Sequence, residues 1–346
     1  MREARRPRIA LIAVPETSAS VLYGLYDVLH SVGAVYPDMV IGTPGDALLD
    51  VIIVAATKAP FRGVGGILVE PHAACDEVLE VDAAIVCDIY TPIGLALRGR
   101  FVDEIAWLQR IHAAGALVGS VCTGSLLLAE AGLLDGQQCA GHWAYRELFR
   151  EHYPLVRFSE SAILNLGSEA AGLVTAGSAT AWQELALHLI ARFCGPEHVL
   201  QTAKVYLLAS HDDGQLPFAA MTRRIQKGDA AISLSQEWIG QHYRSPSPVA
   251  AMAERSGLVP RTFARRFKSA TGYLPMEYVH ALRIEEAKQI IETGPGSLDD
   301  VGYKVGYEDP SFFRRLFKRS TGLTPAAYRR KFAAIVAVRP SETGRP

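Results

Sequence analysis

The 346-residue chain is poor in charge, in aromatic side chains and in cysteine. Only 21% of its residues are Asp, Glu, Lys or Arg and 49% are hydrophobic, which excludes global disorder. The five cysteines, Cys75, Cys87, Cys122, Cys139 and Cys194, stand at irregular spacing with no C-x-x-C pair. That excludes a disulfide-rich scaffold, a zinc ribbon and a thioredoxin-type motif, and leaves reduced thiols in a cytoplasmic protein as the expectation. Cys139 and His142 form a lone C-x-x-H, half of a zinc site, so no metal is expected. Gly63-Val-Gly65-Gly66 lacks both the G-x-G-x-x-G spacing and a P-loop lysine, and no cofactor is expected. Long apolar runs are missing too. The longest stretch without Asp, Glu, Lys or Arg, residues 111–129, is interrupted by Gly115, Gly119, Ser120, Thr123, Gly124 and Ser125. It suits a strand–turn–helix better than a membrane span. The basic N-terminus, MREARRPRIALIAV, has a short apolar run and no small-residue cleavage site, and reads as an arm entering a first strand.

What is present falls into two parts. Residues 1–232 alternate short apolar runs (9–14, 51–56, 83–87, 116–121) with helix-like segments (21–32, 101–114, 181–193). Continuous apolar strands between helices predict an α/β sandwich with a mainly parallel sheet, buried on both faces. After residue 232 only helical segments broken at Gly or Pro remain, predicting an all-α domain. The polar stretch 222–231, beyond the breaker Gly214-Gln215-Leu216-Pro217, fits a linker. The expected organisation is a domain at 8–210, a linker at 211–232, a second domain at 233–331 and a tail at 332–346.

The net charge of −1 argues, as a whole-chain figure, against a nucleic-acid partner. By region the inference reverses. Residues 1–232 carry 17 Lys+Arg and 25 Asp+Glu, whereas residues 233–331 carry 16 and 10. An acidic body joined to a basic module is a hint of nucleic-acid binding.

The basic module contains a repeat at a period of 50 residues. Phe263, Arg265, Phe267, Lys268, Thr271, Gly272, Pro275 and Tyr278 recur as Phe313, Arg315, Phe317, Lys318, Thr321, Gly322, Pro325 and Tyr328. Each copy follows a short helical segment ending in glycine, at Gly257 and Gly306, so the unit is helix, glycine turn, helix. The phenylalanine pairs, four apart, form an apolar stripe facing the core. Arg261 and Arg265, and Ser311 and Arg315, share the opposite side, where arginine can pair with guanine edges in a major groove. Lys268, Lys318 and Arg319 suit phosphates. Between the copies a helix over 276–292, with Met276, Val279, Leu282, Ala287 and Ile290 inward, gives roughly 26 Å of rod. That would hold two reading heads near the ~34 Å spacing of successive major grooves.

Residues 233–331 resemble the DNA-binding domain of AraC-type transcription regulators. The resemblance is most specific from Gly302-Tyr-Lys-Val-Gly306-Tyr307 through Phe312-Phe313-Arg-Arg-Leu-Phe317-Lys318 to Gly322-Leu-Thr-Pro325-Ala-Ala-Tyr328-Arg329. It implies that both units read double-stranded DNA at a promoter or operator. The positions implied are Arg261, Thr262, Ala264, Arg265 and Lys268 in one helix and Ser311, Arg314, Arg315 and Lys318 in the other.

In the acidic part, residues 116–129 run an apolar strand into Cys122, then Gly124, then an apolar helix. A cysteine at such a turn is expected to be exposed, and a helix N-terminus there favours thiolate. With Ala140-Gly141-His142-Trp143, Thr175-Ala176-Gly177 and the following helix, residues 8–195 resemble the PfpI-like branch of the class I glutamine-amidotransferase-like superfamily, which implies a flavodoxin-like α/β fold. Joined to an AraC-type module, this is the architecture of the GlxA-type regulators. The resemblance implies a domain that senses a small-molecule effector through Glu16, Cys122, Thr123 and His142 without being an enzyme. It also implies a homodimer and, for an activator, RNA polymerase as a partner. The alternative is a cysteine-dependent amidase, hydrolase or hydratase using Cys122, His142 and Glu16. Against it, the family's pattern places Val21 where an acidic residue often stands, and Glu16, the one nearby carboxylate, is off register.

Overall fold

Strands that lack polar alternation can be buried only if both sheet faces are covered. In a computed structural model of the chain the described residues are 5–167, 171–208, 214–219, 221, 229–293 and 296–336. Half of the expected linker, residues 211–213, 220 and 222–228, and the tail beyond residue 336 lie outside them. The described residues form two compact units, meeting in sequence between Gln215 and Leu216.

The strands of the first unit are β1 (Arg8–Ile12), β2 (Asp50–Ala55), β3 (Phe61–Arg62), β4 (Leu68–Val69), β5 (Ala73–Ala74), β6 (Ala83–Val86), β7 (Leu117–Val121), β8 (Gln138–Ala140), β9 (Arg157–Ser159), β10 (Leu164–Asn165) and β11 (Leu173–Ala176). Seven of them form one sheet in the order β10-β11-β7-β6-β1-β2-β5, parallel throughout except for the β10–β11 pair. Its helices are α1 (Ala19–His30), α2 (Val35–Ile41), α3 (Val102–Ala113), α4 (Ser125–Glu130), α5 (Arg146–His152), α6 (Trp182–Cys194) and α7 (Pro196–Tyr206). The period-2 geometry of β1 divides its side chains between two cores. Ala10 and Ile12 join α3 and α4 on one face, through Trp107, Leu108 and Leu126–Leu128. Ile9 and Leu11 join α1 and α6 on the other, through Leu22, Leu25, Leu185 and Leu189. The apolar runs read from the sequence thus become strands, within one or two residues at their ends.

The second unit is helical: α8 (Ala230–His242), α9 (Pro248–Ser256), α10 (Pro260–Thr271), α11 (Pro275–Thr293), α12 (Leu298–Lys304), α13 (Pro310–Thr321) and α14 (Pro325–Val336). Helix α8 starts three residues before the expected boundary at 233, because the Asp229 side chain accepts the Ile232 N–H and caps it. The repeat is reproduced in its contacts. The Phe267 and Tyr278 rings meet edge-on at 5.3 Å, and Phe317 and Tyr328 do so at the same distance. Thr271 and Thr321 each donate to the carbonyl four residues back, and Gly272 and Gly322 close their helices at φ 81° and 75°. One core takes side chains from both copies. Met276 departs from its expected inward position: it is 43% exposed, and Ile291 is buried in the core instead. A helix of 19 residues turns through its full period, and the seam set by Val279 and Leu282 leaves Met276 outside.

Candidate functional site

The two helix-turn-helix units place their second helices, α10 and α13, with one face in the core and the other in solvent. Phe263 and Phe267 of α10, and Phe313 and Phe317 of α13, are fully buried. Each helix starts with proline at its first turn, Pro260 or Pro310, where no backbone donor is lost. On the outer side Arg261, Arg265, Lys268, Ser311, Arg315 and Lys318 are exposed, while Thr262 and Ala264 are half-buried. Arg314 is exposed but engaged, its guanidinium 3.0 Å from Asp299 on α12. Arg266, by contrast, turns away from this face and holds Asp229 through two bonds of 3.0 and 2.7 Å, which lowers the Asp229 carboxyl below its ordinary range. The cationic stripe read from the sequence is therefore presented on both helices.

In the first unit, Cys122 stands at the β7–α4 turn with φ 53°, the left-handed region that a non-glycine residue occupies only under constraint. Gly124 supplies part of that constraint. A Cβ there would lie 2.5 Å from the Cys87 carbonyl oxygen and 2.6 Å from that of Val86, so β6 and the turn pack backbone to backbone. The Ser125 hydroxyl donates to the Cys122 carbonyl, and Thr123 Oγ1 accepts the Ile89 N–H at 2.9 Å. These contacts fasten the elbow to the loop after β6.

Cys122 is 7% exposed, not open to solvent. Burial, then the nearby Asp88 charge, pushes its thiol up to about 12, against a lesser downward pull from hydrogen bonds to Thr123. A partial positive charge at a helix end cannot hold a thiolate when desolvation is this large.

The carboxylate whose charge bears on the Cys122 thiol is Asp88, which sequence reading missed. Asp88 accepts hydrogen bonds from the Ser18 backbone and side chain, yet burial still raises it to about 6. Its Oδ1 is buried with no partner among the described residues, as is Oε2 of Glu16. Glu16 is ion-paired to Arg100. Its loop nevertheless lies against the Asp88 loop: Tyr90 N–H donates to the Glu16 carbonyl, and Thr17 bridges to Ile89. Val21, the position where the family often has an acid, is buried in the core at 1% exposure. Tyr145 was also missed. Its hydroxyl donates to the Thr91 carbonyl at 2.7 Å, and burial, then the Cys122 thiol, pushes it up to about 12. His142 packs on Tyr145 and Trp143, with its Nδ1 accepting the Ala144 N–H, and burial holds its imidazole below the usual range. The signal for Asp88 was available: an acid just past an apolar strand lies at the carboxyl end of a parallel sheet, where α/β folds bind ligands. Among the described residues no group of three or more His, Cys, Asp or Glu could hold a metal, and no helix is long and apolar enough to cross a membrane.

An elbow cysteine on a parallel sheet, followed by two helix-turn-helix units, defines an enzyme-like domain joined to a DNA reader. The sequence profile of the DJ-1/PfpI family matches residues 15–192, and that of a helix-turn-helix domain matches residues 252–331. The chain belongs to the DJ-1/PfpI family, and with its AraC-type module it is a DNA-binding transcription regulator of the GlxA type. It is 26% identical to the HTH-type transcriptional regulator CdhR of Pseudomonas aeruginosa, over 79% of this chain and 80% of that one. To the HTH-type transcriptional regulator GlxA of Rhizobium meliloti it is 25% identical, over 65% and 68%. The fold of a solved transcriptional regulator protein from Vibrio parahaemolyticus covers 59% of this chain and all of that one, at 17% identity and a TM-score of 0.50.

Proposed function

We propose that the first domain, residues 8–210, is a non-catalytic sensor of a small molecule, and that its occupancy controls how residues 233–331 engage a promoter. One observation carries the sensor reading. Two carboxylate oxygens, Asp88 Oδ1 and Glu16 Oε2, are buried without partners on loops hydrogen-bonded to each other beside Cys122. Buried acceptors are satisfied in the great majority of structures, so a ligand bearing N–H or O–H donors would complete this site. Thr123, Tyr145 and His142 would form its walls. The protonated thiol of Cys122 speaks against turnover, since nucleophilic catalysis needs the thiolate. The protein would act in the cytoplasm as a homodimer and, if it activates, through RNA polymerase. An effector can act only by its differential affinity for two states.

The test is a thermal-shift screen of donor-bearing metabolites on the full-length protein, followed by a promoter reporter. Hits should stabilise the wild type and not Asp88→Asn, and Cys122→Ala should keep the transcriptional response. Cys122-dependent turnover of any amide or isonitrile would overturn the non-catalytic reading. Hits that bind Asp88→Asn as well as the wild type would overturn the proposed effector site.

A further inference from the structure

Arg283 is a buried cation in the second unit, 7% exposed, that no feature of the DNA-facing surface uses. It stands midway along α11, the helix that joins the two helix-turn-helix units. Its three nitrogens reach carbonyls on both sides of that joint. Nε donates to Tyr243 at 2.7 Å and Nη2 to Ser245 at 3.2 Å, both in the segment that leads from α8 into the first unit. Nη1 donates at 2.8 Å to Gly306, in the turn of the second unit. The guanidinium also lies 5.1 Å over the ring of Tyr307, which packs on Phe313 of α13. Gly306 has φ 92°, and a Cβ there would come within 3.1 Å of Arg283 Cζ and of Arg244 Cα. The turn is thus shaped around the guanidinium.

No carboxylate pairs with Arg283 in these contacts; three carbonyls share its donors. Burial lowers its pKa, yet guanidinium stays charged in proteins, so the group must keep its bonds. A planar fork of fixed geometry ties its acceptors to one mutual arrangement, which apolar packing, being non-directional, does not. We propose that Arg283 is a positioning residue that sets the spacing between the two reading helices, and so the distance between the DNA segments they recognise.

The experiment uses full-length protein and a binding site selected by the wild type from random duplexes. Spacer variants then lengthen or shorten the interval between the two contacted segments by one or two base pairs. The wild type should lose affinity about tenfold per base pair of mis-spacing, the scale of one lost base contact. Arg283→Met, of similar length and without donors, should lower that penalty to about threefold or less, while its Kd for a single contacted segment stays within about twofold of the wild type. A structural residue unrelated to spacing would weaken all sites alike. Should Arg283→Met fail to melt cooperatively, Arg283→Lys carries the same test, because an ammonium cannot reproduce the fork. A wild-type spacing penalty retained in the folded variant, or a uniform loss on every duplex, overturns the proposal.

Discussion

Cys122 and Asp88 show how burial outweighs local dipoles. The thiol lies at a helix start and is nonetheless pushed up, because it is desolvated and has a carboxylate beside it. Alkylation of Cys122 by iodoacetamide at neutral pH should therefore be slow in the native protein and fast after unfolding in urea, read by peptide mass spectrometry. Rapid native labelling would contradict the burial argument. For Asp88 the sign follows from its ordinary value of 3.8 and its folded value of about 6. The folded state binds the proton more tightly, so stability falls as pH rises between about 4 and 6. Asp88→Asn should gain about 1–2 kcal/mol near pH 7.5 and nothing near pH 4, measured by urea denaturation. An equal gain at both pH values would mean that ionisation of Asp88 costs the fold nothing. Neither residue's state was legible in the sequence. Asp88 is remote in the chain from Cys122, and only the parallel pairing of β6 with β7 brings the two strand ends together.

At the scale of elements, the local pattern was sufficient where one face decides. The phenylalanines four apart placed the cores of α10 and α13 correctly, and the arginine-bearing faces followed from them. The pattern was insufficient for the ends of α11, where Met276 carries the right residue type at a position outside the seam. The elbow between β7 and α4 rests on Gly124, so Gly124→Ala should destabilise the first unit by about 2–3 kcal/mol, since two backbone carbonyls must move. Chemical denaturation reads this directly, and a change below ~0.5 kcal/mol would show that the turn can relax. On the reading helices, Arg265→Ala and Arg315→Ala should each cost about 1–3 kcal/mol on the selected site and broaden base preference at one position. Equal losses on specific and random duplexes would move these arginines to phosphate contacts.

For the whole molecule, the split of charge predicts salt-dependent DNA binding. With 16 Lys+Arg against 10 Asp+Glu in 233–331, log Kd should rise linearly with log salt between about 50 and 200 mM. Lys268→Ala and Lys318→Ala should each flatten that slope by about one unit, as expected for one lost phosphate contact apiece. Slopes equal to that of the wild type would remove both lysines from the interface. By itself the sequence determined the α/β and all-α composition, the doubled helix-turn-helix and the polarity of its faces. Those depend on periodicity and on a repeat, which are properties of neighbouring residues. Only the tertiary structure decided that the elbow thiol is buried and pushed up, that Asp88 lies near it, and that Arg283 joins the two reading units. Each of those depends on desolvation and on which distant loops the sheet order and helix packing bring into contact.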